Sequence, residues 1–569
     1  MSVARDITHA EWSRDLPLDV LVVEHGSPLW VMHEGRLREN LRGFVAVTGD
    51  PARVFFPVKS NPTPALLAWL ARAGAGADCA SRHEVRLALL AGVPHARILY
   101  TSPAPDRALV LDLLRQGARV VLDHADDVRW LEERAGEEPG PWSGRLMLRV
   151  HPALSASYAH AADYQDLTAH AGEVSKFGLT PDELLAVARA TALRIDGLHL
   201  HVGTQMDNLA PFTAARGLLE GLGRELRALG HPVRLLDMGG GLGLPFASGR
   251  SFPGVDAYAR AVLDGRDGDF DLAVEPGHAL VGDAVALLTR VLRVKRSGTR
   301  RIAICDAGTD LLAKVTLLRW PHRVLRGREE LCEPGDDVLA GPLCFGGDNL
   351  LTGVDLSAVQ EGDVLCVRDA GAYCAALANR FNGRHAPATV WIPEDGPPRR
   401  VQAREDPGLD PQLQTALWRD APDTEPHDET ERCLPLSSRY LHALARDDAY
   451  DFTRIEAIGP RALRLHVQTR AEVPFMAAPF ALRIAGDAAI VLVLRMLGAS
   501  EKRVPVWARR IVMDCAESLP AGVPVVCTVR ASAISAGEGS SQRAWVHFDL
   551  GEGRCTGRME VAVEAAGSA

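Results

Sequence analysis

Lys59 stands at the end of a short apolar run, Phe55-Phe56-Pro57-Val58, and is followed by Ser60-Asn61-Pro62. Because the residue before a proline is pushed out of the helical region, this segment predicts a strand that ends at Lys59. A desolvated lysine amine loses its proton more easily and can attack a carbonyl group to form a Schiff base. Taken alone, Lys59 is explained more simply as a lysine whose amine reaches solvent, so its chemistry depends on its surroundings.

The sequence around Lys59 alternates between strand-like apolar runs and segments with the helical period, such as those that begin at Pro64 and Asp182. Eight strands, most of them followed by a helix, indicate a (β/α)8 barrel, with a doubly wound open sheet as the alternative. The eight runs lie near residues 54–58, 76–80, 97–101, 118–123, 145–151, 195–202, 234–238 and 271–275.

Polar residues and glycines follow several of these strands, on the face where barrel enzymes hold their sites. The run Gly239 to Gly243 could expose backbone N–H groups to a phosphate, or could be a plain tight turn. Glu275 could keep a proton on a ring nitrogen, or could be a solvated loop acid. His201 could stack on a planar cofactor, or could be a core histidine. With Lys59, these residues point to a planar, carbonyl-bearing and phosphorylated ligand, and pyridoxal 5′-phosphate meets all three demands.

The chain resembles the fold-type III pyridoxal-phosphate decarboxylases, a family that includes diaminopimelate, ornithine and arginine decarboxylases. The resemblance covers residues 20 to about 395 and implies an α/β architecture, an alanine-racemase-like (β/α)8 barrel with a β-rich second domain. It rests on eight motifs in family order: Val58-Lys59-Ser60-Asn61, Asp78-Cys79-Ala80-Ser81, Ser175-Lys176-Phe177-Gly178, His201-Val202-Gly203-Thr204-Gln205, Gly239 to Gly243, Glu275-Pro276-Gly277, Gly341-Pro342-Leu343-Cys344 and Asp369-Ala370-Gly371-Ala372-Tyr373.

The resemblance implies a role for each matching residue. Lys59 would form the internal aldimine, and Asp78 would lie near the lysine and the cofactor ring. His201 would stack on the ring, and Glu275 would pair with the ring nitrogen. The residues implied to hold the phosphate are Gly240, Gly241, the loop of Gly277 and His278, and Tyr373.

Cys344 would be the acid that protonates the substrate carbanion after CO2 leaves. In this family the cysteine comes from the partner subunit, so the resemblance also implies a homodimer with shared active sites. Taken alone, Cys344 is more simply a buried structural thiol. The activity that the resemblance implies is that of a pyridoxal-phosphate-dependent carboxy-lyase acting on an amino acid.

The chain departs from the family at the substrate end of the site. His278 follows Glu-Pro-Gly where the family usually has arginine, and Phe345 follows Cys344 where the family usually has an acid for the substrate's distal amine. The Arg-Pro motif and the tyrosine of the diaminopimelate enzymes are absent from the segment around Lys314. These departures make free lysine, ornithine and diaminopimelate unfavourable as predicted substrates.

The distribution of strand-like, helix-period and polar segments along the sequence also predicts the domain organisation. We predict a barrel at residues 36–280, a β-rich domain formed by 1–35 and 281–395, a solvated linker at 396–430 and a third domain at 431–569. In the first segment, Val20 to Val23 and Leu29 to Met32 are predicted as strands.

Residues 431–569 predict an α+β unit. The apolar segment from Ala478 to Leu497 is about membrane-span length, but Arg483, Asp487 and Arg495 interrupt it, which favours a buried central helix. Long antiparallel strands follow, and this layout resembles the hot-dog fold of thioesterases and acyl-carrier dehydratases. An acyl-carrier protein or acyl-CoA is therefore a predicted partner, in a biosynthetic side pathway. Because the dehydratase catalytic pattern is absent, we expect a binding or dimerising role.

Composition excludes several function classes. The net charge of −10, with no long basic run, argues against a nucleic-acid partner. No uninterrupted apolar run spans a membrane, and the N-terminal residues lack a secretory pattern. Ten scattered cysteines, with no Cys-x-x-Cys pair, predict a cytoplasmic enzyme without a structural metal.

Two other functions remain open at the level of the sequence. An amino-acid racemase or another pyridoxal enzyme could use the same barrel, although Cys344 stands against a racemase that uses tyrosine as its second base. A catalytically silent scaffold that presents the third domain is the other alternative.

Overall fold

The computed structural model divides the chain into two compact units, residues 1–405 and 406–569. It describes residues 9–137, 142–151, 175–245, 251–405, 427–433, 450–459, 461–469, 478–499, 506–515, 524–532, 534–536, 542–551 and 555–563.

Eight parallel strands in sequence order form a barrel in the first unit. A parallel bridge between Val54 and Val274 joins the last strand to the first. There the Phe55 N–H donates to the Val274 carbonyl at 2.9 Å, and the Val274 N–H donates to that of Arg53 at 3.1 Å. The predicted barrel is confirmed, and the open-sheet alternative is wrong. Barrel strands one to eight are Phe55–Pro57, Gly76–Cys79, Ile98–Thr101, Arg119–Leu122, Arg145–Val150, Gly197–Leu200, Leu235–Asp237 and Asp271–Ala273.

Helices separate most of these strands and bury one face against them. The helix Pro181–Ala190 begins with a capping box, in which Thr180 accepts from the Glu183 N–H and Glu183 accepts from the Thr180 N–H, and it buries Leu184, Leu185 and Ala188. The other helices around the barrel are Glu34–Thr48, Pro64–Arg72, Arg82–Leu90, Arg107–Arg115, Ala125–Glu137, Ala210–Ala228, Val255–Leu263 and His278–Val281. Short 3-10 turns are His9–Asp15, Pro51–Arg53, Val58–Ser60, His95–Arg97, Gly282–Ala284 and Phe381–Gly383.

The first apolar run of the chain forms a helix, so the strand predicted at Val20 to Val23 is wrong. The helix Leu18–His25 follows Pro17 and ends at Gly26, and it buries Leu18, Leu21 and Val22. That spacing is one face of a helix, whereas the run is too short for its period to exclude a strand.

The second apolar run is a strand, Leu29–His33, as predicted. It joins a ten-stranded sheet, pairing antiparallel with Val285–Ser297 and parallel with Ala388–Ile392. The predicted β-rich texture after the barrel is therefore present. Its other strands are Arg300–Cys305, Val324–Arg326, Glu329–Glu330, Pro334–Ala340, Asn349–Val354, Val364–Val367 and Arg399–Gln402, with one helix at Lys314–Leu317.

The predicted linker begins too early, because Arg399–Gln402 pairs with Ala388–Ile392 as an edge strand. The run Pro397-Pro398-Arg399-Arg400 hid this strand in a segment rich in proline and charge. Most of the remaining linker, 406–426, lies outside the described residues.

The second unit, within its described residues, packs one helix, Ala478–Met496, against an antiparallel sheet, and both contribute to one hydrophobic core. The strands are His427–Asp428, Tyr450–Gly459, Ala462–Thr469, Val506–Cys515, Val525–Ala531, Ser535–Ala536, Gln542–Leu550 and Cys555–Val563, with a short helix at Thr430–Cys433. The last three long strands are neighbours in the sheet and pair antiparallel, in agreement with the long antiparallel strands expected after the helix. The hot-dog resemblance of this unit stays a prediction.

Two further features concern compartment and membrane. Cys555 is disulfide-bonded, which the scattered cysteines did not predict. Within the described residues, no helix combines the length and the apolar character needed to cross a membrane.

Candidate active site

One cavity of about 460 Å³ opens where the barrel strands end. Nine of the ten predicted site residues line it: Lys59, Asp78, His201, Gly240, Gly241, Glu275, Gly277, His278 and Tyr373. A larger cavity of about 1100 Å³ lies among residues at the amino-terminal ends of the strands. That cavity contains charge pairs such as Arg234 and Asp271, 2.7 Å apart, and none of the predicted residues, so its charges are best explained as structural.

Lys59 and Asp78 meet because their strands are neighbours in the barrel. Pro57 is in register with Asp78, and the 3-10 turn Val58–Ser60 then directs Lys59 over the strand end. The Lys59 amine donates a short hydrogen bond to the Asp78 carboxylate. Asp78 is fully buried, whereas the Lys59 side chain retains 47% exposure toward the cavity.

The two groups shift each other's protonation. Burial lowers the pKa of Lys59, but the charges of Asp78, Tyr373 and Glu275 outweigh burial and raise it. Burial and the charge of Glu275 raise the pKa of Asp78 to about 7, although Lys59 opposes this. Asp78 and its neighbours therefore stabilise the ammonium form of Lys59 in this structure.

Glu275 follows barrel strand eight and lies beside His199 of strand six. The His199 Nε2 and Glu275 Oε1 atoms are 3.2 Å apart, without the alignment of a hydrogen bond. Burial would raise the pKa of Glu275, but His199, Lys59 and Arg149 outweigh burial and lower it. Glu275 is thus an anion at the floor of the cavity.

The glycine run Gly239 to Gly243 packs closely against the loops of His201 and Glu275, at the carboxyl-terminal ends of the barrel strands. Gly239 and Gly241 have φ angles of 61° and 124°, which favour glycine. A Cβ atom at Gly240 would lie 2.2 Å from the Glu275 carbonyl oxygen. The Gly240 N–H donates to His201 Nδ1 at 3.1 Å, so this turn and the His201 ring are held together.

Tyr373 and His278 form the wall beside Gly277. Tyr373 has φ of 55°, an uncommon value for a tyrosine, and its N–H donates to the Ser60 carbonyl at 2.7 Å. The rings of His278 and Tyr373 are 4.8 Å apart. His278 is buried, and burial together with the charges of Lys314 and His322 puts its pKa well below the usual value. A neutral imidazole therefore stands where the family pattern predicts a guanidinium.

Two cavity residues were missed by sequence reasoning. His199 was seen only as a neighbour of His201, and Arg149 was not considered, yet both side chains point into the barrel. The Arg149 guanidinium lies 3.8 Å from Asp123 and 4.3 Å from the Phe177 ring centre. Alternation along strands five and six was the available signal, since every second residue of a barrel strand faces inward.

Cys344 lies outside this cavity. It is exposed in the loop after the strand Pro334–Ala340, where its N–H donates to Asn382 Oδ1 at 2.8 Å. Phe345 and Phe381 beside it are 48% and 50% exposed. Within one chain, then, the structure does not bring Cys344 to Lys59.

Comparison with known proteins places this site in a family. The model of the pyridoxal-dependent decarboxylase pyridoxal-binding domain matches residues 34–282. The chain is 33% identical over 390 residues to diaminopimelate decarboxylase from Methanothermobacter thermautotrophicus, covering 66% of this chain and 88% of that protein. It is 34% identical over 377 residues to the Deinococcus radiodurans enzyme, covering 65% and 91%.

Solved structures agree in fold. Diaminopimelate decarboxylase from Helicobacter pylori, complexed with L-lysine, matches with a TM-score of 0.62 at 24% identity, covering 70% of this chain and 99% of that one. AQ1208 from Aquifex aeolicus matches with a TM-score of 0.61 at 26% identity, covering 70% and 94%. The chain belongs to the pyridoxal-dependent decarboxylase family and is a pyridoxal-phosphate-dependent amino-acid carboxy-lyase.

Proposed function

We propose that the chain decarboxylates an amino acid, or an amino-acid derivative linked to a carrier protein or CoA, in the cavity that Lys59 lines. The observation on which this depends is the convergence of a lysine amine, a buried carboxylate and a glycine turn on one cavity at the carboxyl-terminal face. In this proposal Lys59 binds the cofactor covalently, and the reaction belongs to a biosynthetic side pathway.

The residues present fit pyridoxal phosphate. Among the buried polar atoms that lack a hydrogen-bond partner are Glu275 Oε1, Asp78 Oδ1 and Ser60 Oγ, and such atoms are costly unless a ligand satisfies them. Gly240, Gly241 and Gly277 line the cavity, so a phosphate would lie against backbone there. Glu275 would accept a hydrogen bond from the protonated ring nitrogen. Ser60, Gly277 and Tyr373 lie around the space proposed for the phosphate.

The chain's own groups would position the reacting amine and the cofactor ring. Lys59, which Asp78 holds by a hydrogen bond, would bind the cofactor carbonyl through its amine after losing its proton. Glu275, kept anionic by His199, Lys59 and Arg149, would hold positive charge on the ring nitrogen, and His201 would pack against the ring. When bound, pyridoxal phosphate withdraws the electron pair that the departing CO2 leaves on the substrate's α-carbon.

We assign the final protonation to Cys344 of the partner subunit in a homodimer. Support comes from its surroundings, because Phe345, Phe381 and Leu317 are exposed hydrophobic side chains beside the cysteine loop. An apolar surface of this kind favours burial against a second chain. The thiol would give its proton to the α-carbon, and the product amine would then leave.

The direct test of the function is CO2 release by the purified holoprotein from a panel of amino acids. The wild type should release CO2 and show a visible cofactor band, and Lys59→Ala should lose both. Inversion of the α-carbon without CO2 release would favour a racemase, and absence of the band in the wild type would favour a scaffold.

For the second unit we propose acyl-group or carrier binding, or dimerisation, without a second active site. The long apolar helix against an antiparallel sheet supports this role. The full chain should bind an acyl-CoA without hydrolysing or hydrating it, and turnover of the thioester at a rate unaffected by Lys59→Ala would contradict the proposal.

A further inference from the structure

The wall of the Lys59 cavity changes character between its floor and its mouth. The floor holds the ionisable groups Asp78, Glu275 and His199, and the remaining wall includes Leu318, Trp320 and Leu377. Leu377 is 38% exposed and also lines an adjoining cavity of about 340 Å³. That second cavity is lined by Leu317, Leu343, Phe345 and Phe381 together with polar residues that include Asp310, whose carboxylate pairs with Arg384 at 2.8 Å. Apolar side chains therefore continue outward through Leu377 toward the surface proposed to meet the partner chain.

The carboxylates of the cavity lie beside Lys59 and His199, at the positions proposed for the cofactor. Within the described lining these are Asp78 and Glu275, of which the first accepts from Lys59 and the second lies against His199. Within one chain, a distal ammonium group on a substrate would thus meet Leu318, Trp320 and Leu377, and Asp310 of the adjoining cavity is already paired with Arg384. An ammonium group removed from water without a charge partner is strongly disfavoured.

The cations of the described lining are Lys59, Arg149 and Lys176. Arg149 is buried between Asp123 and the Phe177 ring, so it is occupied. The Lys176 amine lies 5.1 Å from the Phe177 ring centre on an exposed side chain, where water screens it. An acidic substrate would therefore gain only a screened contact, whereas an apolar side chain would cover Leu318, Trp320 and Leu377.

We propose that the substrate is an α-amino acid with an uncharged, apolar side chain, either aromatic or long aliphatic. This inference rests on the proposed function, since it takes the Lys59 cavity as the site of decarboxylation. Specificity is then set by Leu318, Trp320 and Leu377, which contact the side chain while the floor binds the cofactor. A substrate's apolar group here gains by burial, and a charged group of the same length loses by desolvation.

The test uses the full-length holoprotein and a matched pair of substrates, norleucine and lysine, which differ in the distal amine. Spectral titration of the cofactor band gives the apparent Kd of each, and CO2 release gives kcat/KM. We expect norleucine and phenylalanine to bind about tenfold or more tightly than lysine, and to be decarboxylated with correspondingly higher kcat/KM. Glutamate, which probes Lys176, should bind no better than lysine.

A variant with a carboxylate near the substrate side chain should weaken the preference for norleucine. Leu377→Asp supplies a carboxylate at the mouth and should reduce the norleucine-to-lysine ratio by about tenfold. Leu318→Asp serves the same purpose if the first variant is unstable. Val20→Asp is the control, because Val20 is 61% exposed on the N-terminal helix outside the cavity and should leave the ratio unchanged.

Different results would contradict the apolar substrate class and the proposed decarboxylase function. Lysine, ornithine or glutamate binding as tightly as norleucine, with CO2 released, would overturn the apolar substrate class and leave the decarboxylase intact. A holoprotein without a cofactor band, or one that releases CO2 from no amino acid tested, would remove the proposed function, and the substrate class would fall with it.

Discussion

The pKa values of Asp78 and Glu275, the two acids beside Lys59, depend on burial inside the barrel and on the charges of their neighbours. Asp78 and Glu275 are both buried, yet the pKa of the first is raised and that of the second lowered. The difference follows from partners: Glu275 has His199 and Arg149 in addition to Lys59, whereas Asp78 has Lys59 against the repulsion of Glu275. A carboxyl group whose pKa is raised to about 7 and one whose pKa is lowered thus lie beside Lys59.

Asp237 gives a prediction about pH. It is fully buried, and burial together with the charge of Glu275 raises its pKa well above the usual value, against the hydrogen bond it accepts from the Gly239 N–H. The folded protein therefore keeps a proton that the unfolded chain loses above about pH 4, and stability falls as the pH rises from there toward neutrality. Asp237→Asn cannot ionise and removes this loss.

The measurement is the melting temperature of the apoprotein at about pH 5 and about pH 7.5. Asp237→Asn should melt higher than the wild type at the upper pH, by an amount that shrinks at the lower pH, at about 1.4 kcal/mol for each unit of pKa shift. Asp355→Asn, at an exposed loop position, is the control. An equal difference at both pH values would contradict the raised pKa.

The elements of the barrel were the most predictable part of the molecule. Eight apolar runs separated by helix-period segments leave few alternatives to a parallel barrel, and the rim residues Asp78, Gly240 and Glu275 follow directly from where strands end. Val20 to Val23 was misread because four apolar residues fit either period. His199 and Arg149 escaped because strand alternation decides which residue faces inward, and a single sequence does not fix that register.

The glycine turn after barrel strand seven can be tested by adding a methyl group at Gly240. A methyl group at Gly240 would lie 2.2 Å from the Glu275 carbonyl oxygen, so the turn or the loop of Glu275 must move. We expect Gly240→Ala to weaken cofactor binding by more than about tenfold, equivalent to about 1.4 kcal/mol. Equilibrium dialysis or spectral titration of the apoprotein measures this.

A matched glycine variant controls for a general effect on folding. Gly217 lies in the helix Ala210–Ala228, where an added Cβ meets nothing within 4 Å. Gly217→Ala should leave cofactor affinity unchanged and raise helix stability by up to about 1 kcal/mol. Cofactor affinity that survives Gly240→Ala would show that the turn does not contact the phosphate.

At the scale of the whole molecule, the proposed site is incomplete within one chain. Cys344 is exposed and absent from the lining of the Lys59 cavity, so the mechanism requires a partner to supply it. No property of a single sequence fixes how two chains meet. The second unit follows the predicted helix-and-sheet layout, whereas its ligand was not predictable from a motif because none is present.

Mixing two inactive variants tests the shared site. Lys59→Ala lacks the cofactor attachment and Cys344→Ala lacks the proton donor, so each homodimer should have lost most normal product formation. If chains exchange at random, a mixed dimer holds one site with both residues intact, and the equimolar mixture should regain about a quarter of wild-type activity. Failure to regain activity, once exchange has been verified by mass, would place the donor in the same chain or elsewhere.

The central claim is that Lys59 binds pyridoxal phosphate covalently. Borohydride reduction of the purified holoprotein, followed by peptide mapping by mass spectrometry, measures this at a single residue. The account predicts one phosphopyridoxyl group, attached to the peptide that contains Lys59, and its absence from Lys59→Ala. A reduced wild-type protein labelled at Lys176, Lys314 or another lysine, with Lys59 unmodified, would contradict it.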